Sequence, residues 1–136
     1  MFFGDILCFS GAGRREPREA KYNMSMKVYQ AGIDIGSTTV KLVVTDADGH
    51  TLFSDYRRHC ARTQETLADL LRDVRGRLGS CCLRVGMTGS GALSLADALH
   101  VTFEQEVVAV AEALEAAAPG TDVAIELGGE DAKIIY

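Results

Sequence analysis

The sequence has only two prolines, and none of its apolar stretches approaches the length of about 18 to 20 residues that a bilayer-spanning helix needs. The apolar N-terminal stretch contains Asp5 and follows no basic segment, which argues against a secretory signal. Basic residues are in deficit, with 14 lysines and arginines against 19 acidic residues. The net charge of -5 therefore gives no general attraction to nucleic acid. We expect a cytoplasmic protein without nucleic-acid or membrane partners.

The chain of 136 residues is long enough for one modest domain with a single core. Its 47% of hydrophobic residues and 14 glycines indicate a globular protein with many tight turns. Four cysteines, at positions 8, 60, 81 and 82, show no C-x-x-C spacing. We expect them to be reduced thiols that pack as small hydrophobic residues.

The N-terminal part differs from the rest of the chain. Charged residues crowd around Pro17 without any usable periodicity, which predicts a disordered extension over residues 1–26. From residue 27 onward, short β-rich runs and then helical patterns follow one another to residue 136. Residues 27–136 are therefore the expected folded domain.

The order of the predicted elements indicates an α/β domain. The predicted strands are Val28–Ile35, Val40–Asp46, Thr51–Arg57, Cys81–Met87, Asp122–Leu127 and Ala132–Tyr136, with a brief extended piece at Val101–Phe103. The predicted helices are Thr63–Leu78, Ala92–Leu99 and Glu104–Ala118. Three strands in a meander, followed by alternating helices and strands, predict a mixed five-stranded sheet with flanking helices.

The strongest local motif is GIDIGSTTVK, in which a strand carries Asp34 and the returning strand carries Lys41. A turn of Gly36, Ser37 and Thr38 lets backbone N–H groups approach a phosphate closely, and the ammonium of Lys41 neutralises phosphate charge. Asp34 is suited to hold hydrated Mg²⁺ or to orient an attacking water. An ordinary hairpin also has a glycine at its turn, but a carboxylate between two isoleucines needs a partner or a function.

A second motif, IELGGEDAK, repeats this arrangement near the end of the chain. Glu126 lies in a hydrophobic strand, and after it come the turn glycines Gly128 and Gly129 and the acids Glu130 and Asp131, ahead of a lysine. Taken alone, the motif is also typical of a surface turn. Two such elements in one α/β chain suggest a cleft whose two sides grip a phosphate chain and its metal.

The remaining polar candidates give weaker indications. Residues 88–91, with the sequence TGSG, end a strand and begin a helix, so their N–H groups are placed either to bind an anion or simply to make the turn. The three histidines, His50, His59 and His100, have no partner at helical spacing, and we do not expect them to bind a metal.

These motifs, together with EQEVVAVAEAL from residue 104, resemble the ATPases that activate 2-hydroxyacyl-CoA dehydratases and benzoyl-CoA reductases. This is the BadF/BadG/BcrA/BcrD-type branch of the actin, sugar-kinase and chaperone ATPase superfamily. The resemblance covers residues 31–136 and implies a ribonuclease-H-like fold that binds Mg²⁺ and ATP between two lobes. It also implies a homodimer that shares a [4Fe-4S] cluster and donates an electron to a dehydratase or reductase partner.

The resemblance also implies roles for individual residues. The first phosphate site would comprise Asp34, Gly36, Ser37, Thr38 and Lys41, and the second Glu126, Gly128, Gly129, Glu130 and Asp131. Asp34 and Glu126 would be the catalytic pair that organises Mg²⁺ and water.

The chain departs from the family at several points. The family commonly has aspartate at position 126 and glutamine at position 130, and its usual histidine is replaced in the stretch 108–111. The cysteines that hold the cluster in the family lie downstream of the second phosphate loop, and none of the four cysteines here matches them. We therefore expect a fragment, the N-terminal lobe of an actin-like ATPase domain that stops before the second lobe.

Three alternatives stay open at this point. One is a kinase of the same superfamily that transfers a phosphoryl group to a sugar or a carboxylate. Another is a two-metal nuclease that uses Asp34, Glu126 and Asp131, because carboxylates on neighbouring strands suit that chemistry. The third is that the fragment has no activity on its own.

Overall fold

The computed structural model describes residues 6–8, 26–128 and 132–135, which contain eight strands and three helices. The strands are β1 (Ile6–Cys8), β2 (Val28–Ile35), β3 (Thr39–Thr45), β4 (Thr51–Arg58), β5 (Cys82–Thr88), β6 (Thr102–Phe103), β7 (Ala124–Leu127) and β8 (Ala132–Ile135). The helices are α1 (Thr63–Leu78), α2 (Leu93–Leu99) and α3 (Glu106–Ala117). From β2 onward, every predicted element is present, with bounds that differ by two residues at most.

The main sheet is mixed, as predicted. Its order is β1-β5-β2-β3-β4, and β6 also pairs with β5. The three strands β2, β3 and β4 form the antiparallel meander, whereas β5 lies parallel to β2 and to β6. Strands β2 to β6 thus make the expected five-stranded mixed sheet. Strands β7 and β8 pair antiparallel with each other in a separate two-stranded sheet.

Residues 6–8, within the expected extension, form strand β1, because β5 offers them a free edge on which to pair. One expectation about the cysteines was wrong. Cys82 is disulfide-bonded and not a reduced thiol, while Cys60 and Cys81 are free. The antiparallel register places Cys8 opposite Cys82, a proximity that spacing along the chain does not reveal. The rest of the predicted extension lies outside the described residues.

One face of the main sheet forms the core. Alternate residues of each strand point to this face, and the helix α1 packs on β3 and β4. The apolar positions of α1 recur at helical spacing, so that Leu67, Leu70 and Val74 are buried together. The largest fully buried strand residues are Ile33, Ile35, Val40, Leu42, Val44, Leu83, Val85 and Met87. Because this face carries the core, the alternate residues on the other face are left to carry polar groups.

The turn between β3 and β4 forms for a local reason. The carboxylate of Asp46 accepts hydrogen bonds from the N–H groups of Asp48 and His50, both at 2.9 Å, and Gly49 adopts φ +85°.

None of the helices in the described part of the chain has the length and apolar composition needed to cross a membrane.

Candidate functional site

A row of polar side chains crosses four strands of the main sheet. In register, Thr88 of β5 lies beside Asp34 of β2, Asp34 lies opposite Lys41 of β3, and Lys41 lies opposite Tyr56 of β4. Their chain neighbours Ile33, Ile35, Val40, Leu42 and Met87 are buried on the α1 side. The row therefore lies on the face of the sheet opposite to α1.

The central pair of this row is a salt bridge. The ammonium of Lys41 donates to Asp34 Oδ2 at 2.7 Å, with 47% of the lysine side chain and 30% of the aspartate side chain exposed. The hydrogen bond to Asp34 raises the pKa of Lys41 above its ordinary value of 10.5, although partial burial acts in the opposite direction. The charges of Asp34, Tyr56 and Glu126 also raise this pKa. Lys41 is thus held as a cation that remains accessible to a ligand.

The TGSG turn, residues 88–91, packs against the end of β2. The N–H of Gly91 donates to the carbonyl of Ile35 at 2.9 Å. Gly89 adopts φ +104°, and a Cβ at this position would lie 2.3 Å from the Ile35 carbonyl oxygen and 2.6 Å from Asp34 Oδ1. Only glycine allows this approach of the two backbones, so the turn fixes the position of the Asp34 carboxylate.

A second hairpin, β7 with β8, has the same layout as the first hairpin, β2 with β3. Glu126 lies opposite Lys133 in register, as Asp34 lies opposite Lys41, and both pairs are seven residues apart. Lys133, however, forms its ion pair with Glu106 at the start of α3. Glu106 also accepts a hydrogen bond at 2.9 Å from the backbone N–H of Ser90 in the TGSG turn. Glu106 thus links the second hairpin to the turn that supports the first.

Two buried polar atoms in this region have no hydrogen-bond partner in the described part of the chain. They are Thr88 Oγ1, beside Asp34 in the polar row, and Glu126 Oε2 in the second hairpin. Buried polar atoms are normally satisfied, so these two atoms are available to form hydrogen bonds with a ligand. Thr88, Asp34 and Lys41 open into a groove of about 680 Å³, which runs between the sheet face and α3.

The predicted site residues are found in different environments. In the first loop, Ser37 and Thr38 are exposed and Gly36 is partly buried, so the loop tip is accessible. In the second loop, Gly128 is exposed, and Gly129, Glu130 and Asp131 lie outside the described residues.

Sequence reasoning missed Tyr56 and Glu106. An acidic residue in the first turn of α3 was the available signal for Glu106, since such residues often bind free N–H groups. Nothing in the sequence pointed to Tyr56, because its place opposite Lys41 depends on the β3–β4 register.

The residues present suit a magnesium nucleotide but not an iron–sulfur cluster. Carboxylate oxygens are ligands that Mg²⁺ prefers, and the cation of Lys41 suits a phosphate. The atoms Thr88 Oγ1 and Glu126 Oε2 offer further hydrogen-bonding capacity. Among the described residues, the one group of three or more side chains placed to share a metal ion is Asp46, Asp48 and His50, which contains no cysteine.

No protein-family model matches the chain, and no curated protein matches it. Among solved structures, the chain is similar to the activator of 2-hydroxyisocaproyl-CoA dehydratase from Clostridium difficile, with ADPNP bound, at 25% identity and a TM-score of 0.62. This match covers 78% of the chain and 40% of the activator. It is also similar to (R)-2-hydroxyglutaryl-CoA dehydratase component A from Acidaminococcus fermentans, at 18% identity and a TM-score of 0.64, over 81% of this chain and 43% of that one.

An exopolyphosphatase from Cytophaga hutchinsonii also matches, at 20% identity and a TM-score of 0.55, over 78% of this chain and 45% of the enzyme. The chain spans less than half of the length of each of these proteins. The chain therefore has the fold of the actin-like ATPases, and a dehydratase activator is among the solved structures that it resembles.

Proposed function

We propose that this chain is the N-terminal, nucleotide-binding lobe of an ATP-dependent activase. The observation that carries the proposal is the pair of hairpins, each with an acid opposite a lysine in register. The charge of Glu126, in the second hairpin, contributes to the raised pKa of Lys41 in the first. This influence supports a shared cleft between the two hairpins, as a site that grips a phosphate chain from both sides requires.

Each part of the first loop has a distinct task in this proposal. In the loop of Gly36, Ser37 and Thr38, the exposed residues Ser37 and Thr38 offer N–H and hydroxyl donors to the terminal phosphates, and Lys41 neutralises their charge. Asp34, whose carboxylate binds Lys41, would hold a water of hydrated Mg²⁺, and the ammonium of Lys41 would pair with phosphate. The TGSG turn keeps the Asp34 carboxylate in place.

The second loop completes the site from the other side. The Oε2 atom of Glu126, which has no hydrogen-bond partner among the described residues, would bind magnesium-bound water or orient the water that attacks the γ-phosphate. Gly128 and Gly129, with Glu130 and Asp131, form the second phosphate loop in this proposal. When Mg²⁺ and ATP are bound, the metal supplies charge neutralisation at the phosphates.

The activase role rests on the similarity to the dehydratase activator. We propose that the complete protein forms a homodimer and uses ATP hydrolysis to drive electron transfer to a 2-hydroxyacyl-CoA dehydratase or a benzoyl-CoA-reductase-like partner. The [4Fe-4S] cluster that such a reaction needs would be bound by residues outside this chain. The two phosphate loops of this chain would take part in the closure of the cleft when ATP binds.

Titration of Mg-ADPNP into the chain, followed by backbone amide NMR, tests the site. We expect binding weaker than micromolar, with shifts concentrated at residues 36–38 and 88–91. Replacing Lys41 by glutamine should weaken binding about tenfold, because a charge-assisted hydrogen bond is lost. Lys27→Gln is the matched control, since Lys27 is also exposed but lies just before β2, at the end of that strand away from the loop.

Two outcomes contradict the proposal. A micromolar or tighter site whose shifts avoid both segments would show that nucleotide binds elsewhere. Cleavage of nucleic acid with Mn²⁺ would favour the nuclease alternative, although no group of three metal-ligating side chains in the described residues includes Asp34 or Glu126.

A further inference from the structure

His59 lies under the first loop and is one of the few polar residues of the described chain that are buried. It directly follows β4, and only 8% of its surface is exposed. Its ring nitrogen Nε2 lies 3.2 Å from the carbonyl oxygen of Gly36, and its backbone N–H donates to the carbonyl of Thr38 at 3.1 Å. One residue therefore contacts two of the three residues of the loop.

The second ring nitrogen fixes the tautomer of His59. The backbone N–H of Ala61 donates to Nδ1 at 3.1 Å. Because a backbone N–H is a donor only, Nδ1 must present its lone pair, and the proton of the neutral ring must lie on Nε2. Nε2 is then the donor that the Gly36 carbonyl requires.

The backbone around His59 is strained in the way that this contact needs. Cys60 and Ala61 both have positive φ, at 47° and 63°, although neither is a glycine. Such conformations cost free energy and persist only where surrounding contacts fix them. Here they turn the chain back so that the Ala61 N–H reaches the ring.

The bond to Gly36 sets the direction of the next N–H group. In a trans peptide the C=O and the following N–H point in opposite directions, and the described residues contain no cis peptide bond. Since the Gly36 carbonyl faces the buried imidazole, the Ser37 N–H faces away from His59 toward the exposed side of the loop. The Gly36 N–H is already used, because it donates to the Thr39 carbonyl at 2.9 Å.

We propose that His59 is a positioning residue that directs the Ser37 N–H outward to receive a phosphate and keeps the Gly36 carbonyl away from it. A carbonyl oxygen turned toward the loop mouth would repel the phosphate instead. This inference rests on the proposed function for its ligand, a nucleotide phosphate. The effect of His59 on the shape of the loop does not depend on the proposed function.

Two substitutions separate the two bonds of the ring. His59→Gln places an amide NH₂ near the position of Nε2 and can keep the bond to Gly36, whereas His59→Asn places an oxygen near Nδ1 and can keep only the bond from Ala61. In the nucleotide-free chain, we expect the Ser37 amide resonance to shift in the asparagine variant and to stay near its wild-type position in the glutamine variant. We expect Mg-ADPNP binding to weaken about tenfold in the asparagine variant and about twofold or less in the glutamine variant. Unfolding followed by circular dichroism checks that both variants fold.

A measurement without any substitution keeps the inference testable if the variants do not fold. Nitrogen-15 NMR of the His59 ring should show a proton on Nε2 and a bare Nδ1. The opposite tautomer, or wild-type Ser37 resonance and affinity in the asparagine variant, overturns the proposal. If the Ser37 resonances behave as expected but the wild-type chain binds no nucleotide, the proposed function fails, and with it the phosphate role of His59, while its control of the loop shape stands.

Discussion

The two hairpins of this protein share one layout but differ in their ion pairs. In the first hairpin, Lys41 pairs with its own cross-strand acid, Asp34. In the second, Lys133 pairs with Glu106 of α3 instead, and Glu126 keeps a buried oxygen that has no hydrogen-bond partner among the described residues. The difference shows that the same spacing of acid and lysine acquires different electrostatics from the elements packed around it.

The two hairpins also differ in how they are packed. The first hairpin lies in the middle of the main sheet, between β4 and β5, and most of its apolar residues are buried. In the second hairpin, 66% of Ile125, 79% of Leu127 and 64% of Ile134 are exposed. The first hairpin is thus held by the hydrophobic core, whereas in the described residues the ion pair with Glu106 is a main contact of the second.

Substitution of Gly89 should give the largest loss of stability. This residue supports the first hairpin and not the second, so the substitution tests the first hairpin alone. In Gly89→Ala, the new Cβ would overlap the Ile35 carbonyl and the Asp34 carboxylate, in a conformation that disfavours any side chain. We expect a loss of about 3 kcal/mol in the free energy of unfolding. Urea unfolding followed by far-UV circular dichroism measures it.

Gly49→Ala is the matched control for this substitution. Gly49 also has a positive φ, of +85°, but nothing lies within 4 Å of its expected Cβ. It should lose only the conformational part, about 1 kcal/mol. Equal losses in the two variants would mean that the TGSG turn does not press on β2.

The link between the second hairpin and the TGSG turn should have an intermediate effect. Glu106→Gln and Lys133→Gln should each destabilise the chain by about 1 kcal/mol, because 22% and 29% of the two side chains are exposed and the pair is partly protected from water. The double variant should lose less than the sum, with a coupling of about 0.5 kcal/mol or more.

Arg72→Gln tests a pair of the same type that is more exposed. The Arg72–Asp69 pair on α1 has 73% and 59% of its side chains exposed, so its loss should change stability by less than about 0.5 kcal/mol. Additive losses at Glu106 and Lys133 would show that the two side chains do not interact in solution.

The smallest effect should be a change in the titration of Lys41, which tests whether the two hairpins face each other. Asp34→Asn should lower the pKa of Lys41 most, since the hydrogen bond to Asp34 is the largest cause of its rise. Glu126→Gln should lower it by less, because Glu126 is the weakest of these causes. Carbon-13 NMR of the lysine side chain follows both.

The sign of the pH dependence follows from the raised pKa. Lys41 binds its proton more tightly in the folded chain than in the unfolded one, so its stabilising effect is present below pH 10.5 and is lost as the pH rises through its folded pKa. If Glu126→Gln leaves the titration of Lys41 unchanged, the second hairpin does not reach the first, and the shared cleft is refuted.

The sequence predicted those parts of the site that depend on nearby residues. Asp34 and Lys41 are seven residues apart in one hairpin, so a strand–turn–strand pattern was sufficient to place them opposite each other. The helices were predicted for the same reason, since helical spacing and terminal glycines are local signals.

The parts that the sequence did not predict depend on long-range packing. The pair of Glu106 and Lys133 joins residues 27 positions apart, and β1 pairs with a strand more than 70 residues further along the chain. His59 was considered only as a metal ligand, because its contact with Gly36 requires the β3–β4 register and the left-handed turn after it. The roles of all the predicted site residues stay predictions, and Gly129, Glu130 and Asp131 also lie outside the described residues.

The alternation along β3 has a consequence for how the protein reaches its active form. Val40, Leu42 and Val44 are fully buried, and Lys41 between the first two is exposed. A slip of one residue in the pairing with β2 would turn Lys41 into the apolar interior and bring Leu42 into water. A misaligned hairpin therefore loses its core and the exposed cation of Lys41 together. Molecules that fold at all should then carry a correctly built loop, whatever the yield of folding.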